Sequence, residues 1–315
     1  MNFPKLCIGQ LTPQYPIVQG GMALRVSTSS LAAAVGNAGG VGVIGATGMA
    51  LDELRNEIRI AREKTAGIIG VNIMYAVRQF SELARVAIEE KIDVIFTGAG
   101  FSRDIFGWGK KGGVPIVSIV STAKLARLAE RLGAAAVVVE GKEAGGHLGT
   151  DRSVSEILPE VLNAVKIPVI AAGGIINGRG VADMFKLGAS GVQMATRFVL
   201  SVECSVPQSF KDLYLKATAK DVCLISSPVG MPGRALRNEF VNKLLDGTAE
   251  KPSFCDGCLK KCSRQYCLIK ALDNSQKGNV QNGVVFAGQN VYKIKDILPV
   301  QEIFKNLVNE VTTTD

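Results

Sequence analysis

Eight short, nearly uncharged runs punctuate the chain: PIVQG (16–20), VGVIG (41–45), IIGVNIM (68–74), DVIFTG (93–98), PIVSIV (115–120), AAVVVEG (135–141), PVIAAGG (168–174) and GVQMATRF (191–198). They lack the polar alternation of a strand with one wet face, so they read as parallel strands covered on both sides. Their starts lie about 20 to 33 residues apart, the span of one βα unit. Between them the apolar residues recur with helical period, as in LDELRNEIRIAREK (51–64), SELARVAIEEK (81–91), TAKLARLAERLG (122–133) and SVSEILPEVLNAVK (153–166). Eight such units predict an α/β fold, a (β/α)8 barrel. A doubly wound open sheet would need a reversal of strand order that nothing marks.

After residue 200 the rhythm weakens. The barrel is assigned to 1–220. An inserted region at 221–282 is expected to be loop-rich at first and to hold four cysteines within 251–270. Residues 283–315 then form a closing turn and C-terminal helix. Hydrophobic residues at 47% allow a large core. The net charge of +8 comes from 36 Lys and Arg dispersed among 28 acids, which excludes a nucleic-acid signature but suits an anionic cofactor. Between Arg25 and Asp52 there is no charge, yet Asn37-Ala-Gly-Gly40 interrupts the stretch, so helix–turn–strand is favoured over a membrane span. MNFPKLCIGQ has no secretion signal, and the cytoplasm is the expected compartment.

In such a barrel the chemistry sits where strands end. Those ends are rich in glycine and small polar residues, suiting a flat ligand approached closely by backbone. AAGGIINGRG leads from strand seven into a helix opening at Gly178, and GVQMATRF follows one unit later. Loops at these two positions commonly bind phosphate through backbone N–H groups and a helix N-terminus, so Gly173, Gly174, Ala195 and Thr196 are the expected donors. Tight turns alone would also use such glycines; position and pairing favour phosphate. Two GxGxxG matches are set aside: GVGVIG (40–45) is itself strand, and GWGKKG (107–112) is read as following a helix. His147, the only histidine, falls in EGKEAGGHLG (140–149), together with Glu140 and Glu143. A lone histidine is more often structural, but a glycine-flanked loop on the catalytic face suits proton transfer near neutrality.

PIVQGGM, GVNIM, TGAG, EGKEAGGHLG, IPVIAAGGI, GASGVQMATRF and FAGQN together resemble the FMN-dependent 2-nitropropane dioxygenase (nitronate monooxygenase) family and the related FMN-dependent enoyl-acyl-carrier-protein reductases. The likeness covers most of 12–240 and again 283–305. It implies non-covalent FMN, with the ring against Gly20, Gly21 and Met22, Asn72 at a neighbouring strand end, and Gly145 and Gly146 lining the ring. Glu140 belongs with these cofactor contacts. The phosphate would lie at Ala172, Gly173, Gly174, Gln193, Met194, Ala195 and Thr196. His147 matches the family's active-site histidine. Nitronate oxidation is the leading expectation. NAD(P)H-dependent reduction of an enoyl thioester is second, with acyl carrier protein or a separate electron donor as a partner. A flavin- or phosphate-binding sensor without turnover is third. A homodimer is allowed. Inosine monophosphate dehydrogenases share the IPVIAAGG theme but need a cysteine in the loop after strand six, which is absent here.

FCDGCLKKCSRQYCLIKAL places Cys255, Cys258, Cys262 and Cys267 at C-x2-C-x3-C-x4-C. Four thiols so spaced suggest a zinc site or a 4Fe–4S cluster. The competing reading is a buried helical stripe. This feature is not carried over from the family resemblance.

Overall fold

The computed structural model describes residues 1–314. Its strands, in chain order, are β1 (Ile17–Gln19), β2 (Val41–Gly45), β3 (Ile68–Met74), β4 (Val94–Gly98), β5 (Ile116–Val120), β6 (Ala136–Glu140), β7 (Gly146–His147), β8 (Val169–Ala172), β9 (Gly191–Met194), β10 (Val222–Ser226) and β11 (Pro232–Leu236). The strands β1 to β6, β8 and β9 form a closed parallel barrel, β9 returning to β1 with Val18 opposite Gln193. This is the (β/α)8 architecture expected from the eight runs. The last run is strand only as far as Met194, where its pairing with β1 ends; Thr196–Val199 is helical. Gly173 and Gly174 likewise lie beyond β8.

The barrel interior is packed, not open. Val18, Val41, Val43, Val94, Phe96, Val117, Val138 and Ile170 point inward, and Leu6 and Ile8 of the N-terminal segment join the same cluster. A second, larger apolar layer fills the space between strands and helices. The helix Ala123–Leu132 shows how local chemistry sets its ends. Thr122 Oγ1 accepts from the Leu125 amide at 3.2 Å, and Gly133 stops the helix at φ 97°. Ser153 and Glu156 form a reciprocal capping box on the helix Val154–Leu162, which ends four residues short of the expected 166. GWGKKG lies inside the helix Asp104–Gly112 and does not follow one.

The late region differs from the loop-rich expectation. β10 and β11 form an antiparallel hairpin from Val222 opposite Leu236 to Ser226 opposite Pro232, followed by the helix Glu239–Leu245. β11 also pairs with β7, Gly233 opposite His147 and Arg234 opposite Gly146. The hairpin therefore clamps the loop that leaves β6. The C-terminal helix Val300–Thr313 packs on the helices Ser29–Asn37 and Gly178–Lys186 and closes the outer ring. Among the described residues no helix is long and apolar enough to cross a membrane.

Candidate active site

The C-terminal ends of the strands surround one large cleft. Gly20, Gly21 and Met22 leave β1, Asn72 comes from β3, Glu140 ends β6, and Gly145, Gly146 and His147 line the wall beside Gln193, Ala195 and Thr196. A smaller adjoining cavity is lined by Ala172, Gly173, Gly174 and Met194, and it shares Glu140, Gly145, Gln193, Ala195 and Thr196 with the first. All the residues selected for the ring, the phosphate and the histidine thus meet in two connected spaces. The close approach needs glycine at 21, because a Cβ there would lie 2.3 Å from Asn72 Cβ.

The smaller cavity offers backbone donors. Gly173 and Gly174 take φ values of 118° and 70°, which turn the chain sharply after β8. Among the described residues, no hydrogen bond takes up the amides of Gly173, Gly174, Ala195 or Thr196. At the helix N-terminus expected to assist them, two amides already have partners, and that of Arg179 between them has none among the described residues. The Gly178 amide donates to Glu310 Oε2 at 2.6 Å, and the Gly180 amide donates to Asn177 Oδ1 at 3.0 Å. The open amides are thus those of Gly173 and Gly174 after β8, Ala195 and Thr196 after β9, and Arg179.

Sequence reasoning quoted FAGQN but singled out none of its residues. In the structure this turn ties together the loops that follow β6, β8 and β9. The Gly288 amide donates to Thr196 Oγ1 at 2.9 Å, Asn290 Nδ2 donates to Gly174 O at 2.7 Å, and the Gln289 amide donates to Glu143 O at 2.9 Å. Gly288 and Asn290 also line the smaller cavity.

His147 is fixed by its backbone pairing with β11 and by two side-chain contacts. Its Nε2 lies 2.8 Å from Ser227 Oγ, and the Phe286 ring meets it edge-on at 5.2 Å. Burial pushes its pKa down to about 4, so the imidazole is neutral at physiological pH. Glu140 shifts the other way. Burial alone raises it to about 8, leaving a carboxylic acid at the junction of the two cavities. The loop between them is pinned by Arg234, whose guanidinium donates to the carbonyls of Lys142 and Ala144.

Opposite the strand ends the cleft wall is apolar. Leu24 and Val26 face Leu268, Ile269 and Leu272 of the helix Leu268–Gln276, with Val284 and Phe286 beside them. That wall, Ser227 and Phe286 were not identified from the sequence. The cysteine loop leads directly into this helix. Residues 251–267 are irregular, which removes the helical-stripe reading. All four thiols are free; Cys262 is exposed and the other three are partly so. Burial, then the neighbouring Cys267, Cys255 and Cys262, push the Cys258 thiol up. Among the described residues no group of three or more His, Cys, Asp or Glu is arranged to hold a metal ion.

This geometry agrees with comparisons to known proteins. The chain is similar to a Rhodococcus jostii (3aS,4S,5R,7aS)-5-hydroxy-7a-methyl-1-oxo-octahydro-1H-indene-4-carboxyl-CoA dehydrogenase, 37% identical over 73% of this chain and 65% of the relative. It thus spans slightly less than two thirds of that relative's length. A Staphylococcus saprophyticus protein described as "Probable nitronate monooxygenase" is 30% identical, with 90% of each chain covered. Among solved structures, FabK from Thermotoga maritima superposes with a TM-score of 0.87 at 38% identity, covering 95% of this chain and 93% of that one. The model of the nitronate monooxygenase family matches residues 5–310, and the chain belongs to that family.

Proposed function

We propose that the protein is an FMN-dependent oxidoreductase that oxidises alkyl nitronates. The observation that carries this reading is the placement of a neutral His147 on the wall of a cleft whose other parts suit a flavin nucleotide. The unspent amides of Gly173, Gly174, Ala195 and Thr196 fit the phosphate of FMN. Gly20, Gly21, Met22, Asn72, Gly145 and Gly146 would hold the ring, and Glu140 and Gln193, which line both spaces, would contact the cofactor where they meet. When bound, FMN supplies the redox chemistry, and the protein supplies binding and orientation. A neutral imidazole leaves a nitronate in its anionic form and offers it a polar contact. The apolar wall keeps water from the reacting carbon.

A second reading is supported by that same wall. Leu24, Val26, Leu268, Ile269, Leu272 and Val284 present more apolar surface than a small nitronate needs, and the Rhodococcus relative is named for a CoA thioester. An enoyl thioester, reduced at the expense of NAD(P)H, would use it. The basic balance of +8 would suit an acidic acyl carrier protein as its carrier. We also propose that Cys255, Cys258, Cys262 and Cys267 take up zinc or a 4Fe–4S cluster. What supports this is their spacing and the electrostatic reach of Cys258 to the other three thiols.

His147→Ala tests the enzymatic reading. Oxygen consumption with an alkyl nitronate is expected to fall at least about tenfold while the flavin is retained. Unchanged turnover would remove His147 from the mechanism, and absence of turnover in the unmodified protein would favour a binding or sensing role.

A further inference from the structure

We propose that Arg25 is a positioning residue: its paired bonds to Glu53 hold the loop after β1 in a left-handed turn that sets Leu24 as a wall of the cleft, and so fix how tightly an apolar substrate is gripped. The loop leads from β1 to the helix Ser29–Asn37, and Met22, Ala23, Leu24 and Val26 line the cleft along it. Leu24 and Arg25 take φ values of 53° and 62°. Neither is glycine, and an L side chain in this region crowds its own backbone. Such residues persist only where their surroundings over-determine them.

The surroundings do so. The base of the loop is closed by the Met22 amide, which donates to Ser27 Oγ at 2.8 Å, and by the Ser27 amide, which donates to Met22 O at 3.1 Å. The Leu24 amide donates to Thr47 O at 3.2 Å, and its buried side chain lies over Gly48, where a Cβ would come within 2.0 Å of Leu24 Cδ2. Arg25 turns to the helix Leu51–Lys64, where its Nε and Nη2 donate to the two carboxylate oxygens of Glu53 at 2.5 and 2.6 Å. Glu53 is itself fixed, because its Oε2 accepts from the Ala50 amide at 3.3 Å. One turn further along that helix, Glu57 Oε2 accepts from the Ser29 amide at 2.6 Å. The loop is thus strapped to one helix at Arg25 and again at Ser29. The Arg25–Glu53 pair is partly exposed, so its charge attraction is modest. Its contribution is directional: two parallel bonds to a planar fork fix the guanidinium, and with it the backbone of residue 25. Once the pair is broken, the left-handed turn relaxes and Leu24 withdraws from the wall it forms opposite Leu268 and Leu272.

The effect on substrate rests on the nitronate reading; the latch does not. Arg25→Ala removes the pair and leaves a side chain at φ 62°, whereas Arg25→Gly removes the pair and leaves a residue to which that angle costs nothing. With the anion of 1-nitrohexane, Arg25→Ala is expected to raise KM about tenfold with kcat within about twofold, and Arg25→Gly to raise KM less. A side chain of merely structural value would give the opposite order, since glycine ordinarily destabilises more than alanine. Arg25→Lys, which keeps the charge but loses the fork, should fall between the unmodified protein and Arg25→Ala. An unchanged KM in Arg25→Ala overturns the proposal, as does a higher KM in Arg25→Gly than in Arg25→Ala, or a fall in kcat alone. Trypsin tests the latch without substrate. In the FMN-loaded protein Glu53→Gln should speed cleavage after Arg25 about fivefold, read by mass spectrometry of the fragment ending there. Equal rates in the variant and the unmodified protein overturn the proposal. Faster cleavage without nitronate turnover would uphold the latch and discard the nitronate reading.

Discussion

Glu140 ends β6 with its carboxyl buried where the two cavities meet, and burial holds its pKa near 8 against an ordinary 4.5. The folded protein therefore binds this proton more tightly than the unfolded chain. The associated stability is fully present below pH 4.5 and is lost as pH rises through about 8. Glu140→Gln should abolish that loss, so the urea midpoint of the variant should exceed that of the unmodified protein at pH 9 and approach it at pH 5. Equal midpoints at both pH values would mean that the carboxyl finds a partner in solution. His147 acts at the acid end. Its depressed pKa means that stability is full above about 6.5 and falls as pH drops towards about 4. The uniqueness of His147 and its glycine-rich loop were legible in the sequence. The burial that shifts both groups was not, because it comes from side chains far along the chain, such as Phe286.

At the scale of elements, the strand ends were the legible part. A fully buried parallel strand has a short, uniformly apolar signature, and each unit repeats it, so the eight ends could be aligned before any contact was known. The β10–β11 hairpin escaped because VCLIS and PGRAL are short and only partly buried, with Leu224 48% exposed and Pro232 exposed. They pair with each other, and β11 alone pairs on its other side with β7, a strand of two residues that no periodicity can announce. The partner of the Gly178 amide was equally hidden, since Glu310 is 132 residues away. The close approach of Gly21 to Asn72 yields a direct test. In Gly21→Ala the new methyl must displace Asn72, with a destabilisation of about 1–3 kcal/mol from overpacking. The FMN dissociation constant should rise with it, measured by flavin fluorescence on dilution. Unaltered FMN retention would place the ring away from the end of β1. In the cysteine loop, Cys258→Ser should lower the zinc or iron content of protein purified without oxygen. Metal content equal to that of the unmodified protein would eliminate the site.

For the whole molecule, the barrel supplies a rigid rim, and the late chain completes the site. β11 holds the His147 loop, the FAGQN turn ties together the loops after β8 and β9, and the helix Leu268–Gln276 walls the cleft. Function therefore depends on chain segments far along the sequence from the loops they support, as with Gly288 and Thr196, separated by 92, and Asn290 and Gly174, separated by 116. In the proposed function this composite cleft holds FMN and passes electrons to it from a nitronate. The most direct measurement is the visible absorbance of the protein purified without oxygen, followed as an alkyl nitronate and, in a separate sample, NAD(P)H is added. The expected result is a flavin spectrum that the nitronate bleaches and NAD(P)H leaves intact. Bleaching by NAD(P)H with an inert nitronate would contradict it and assign the cleft to an enoyl thioester.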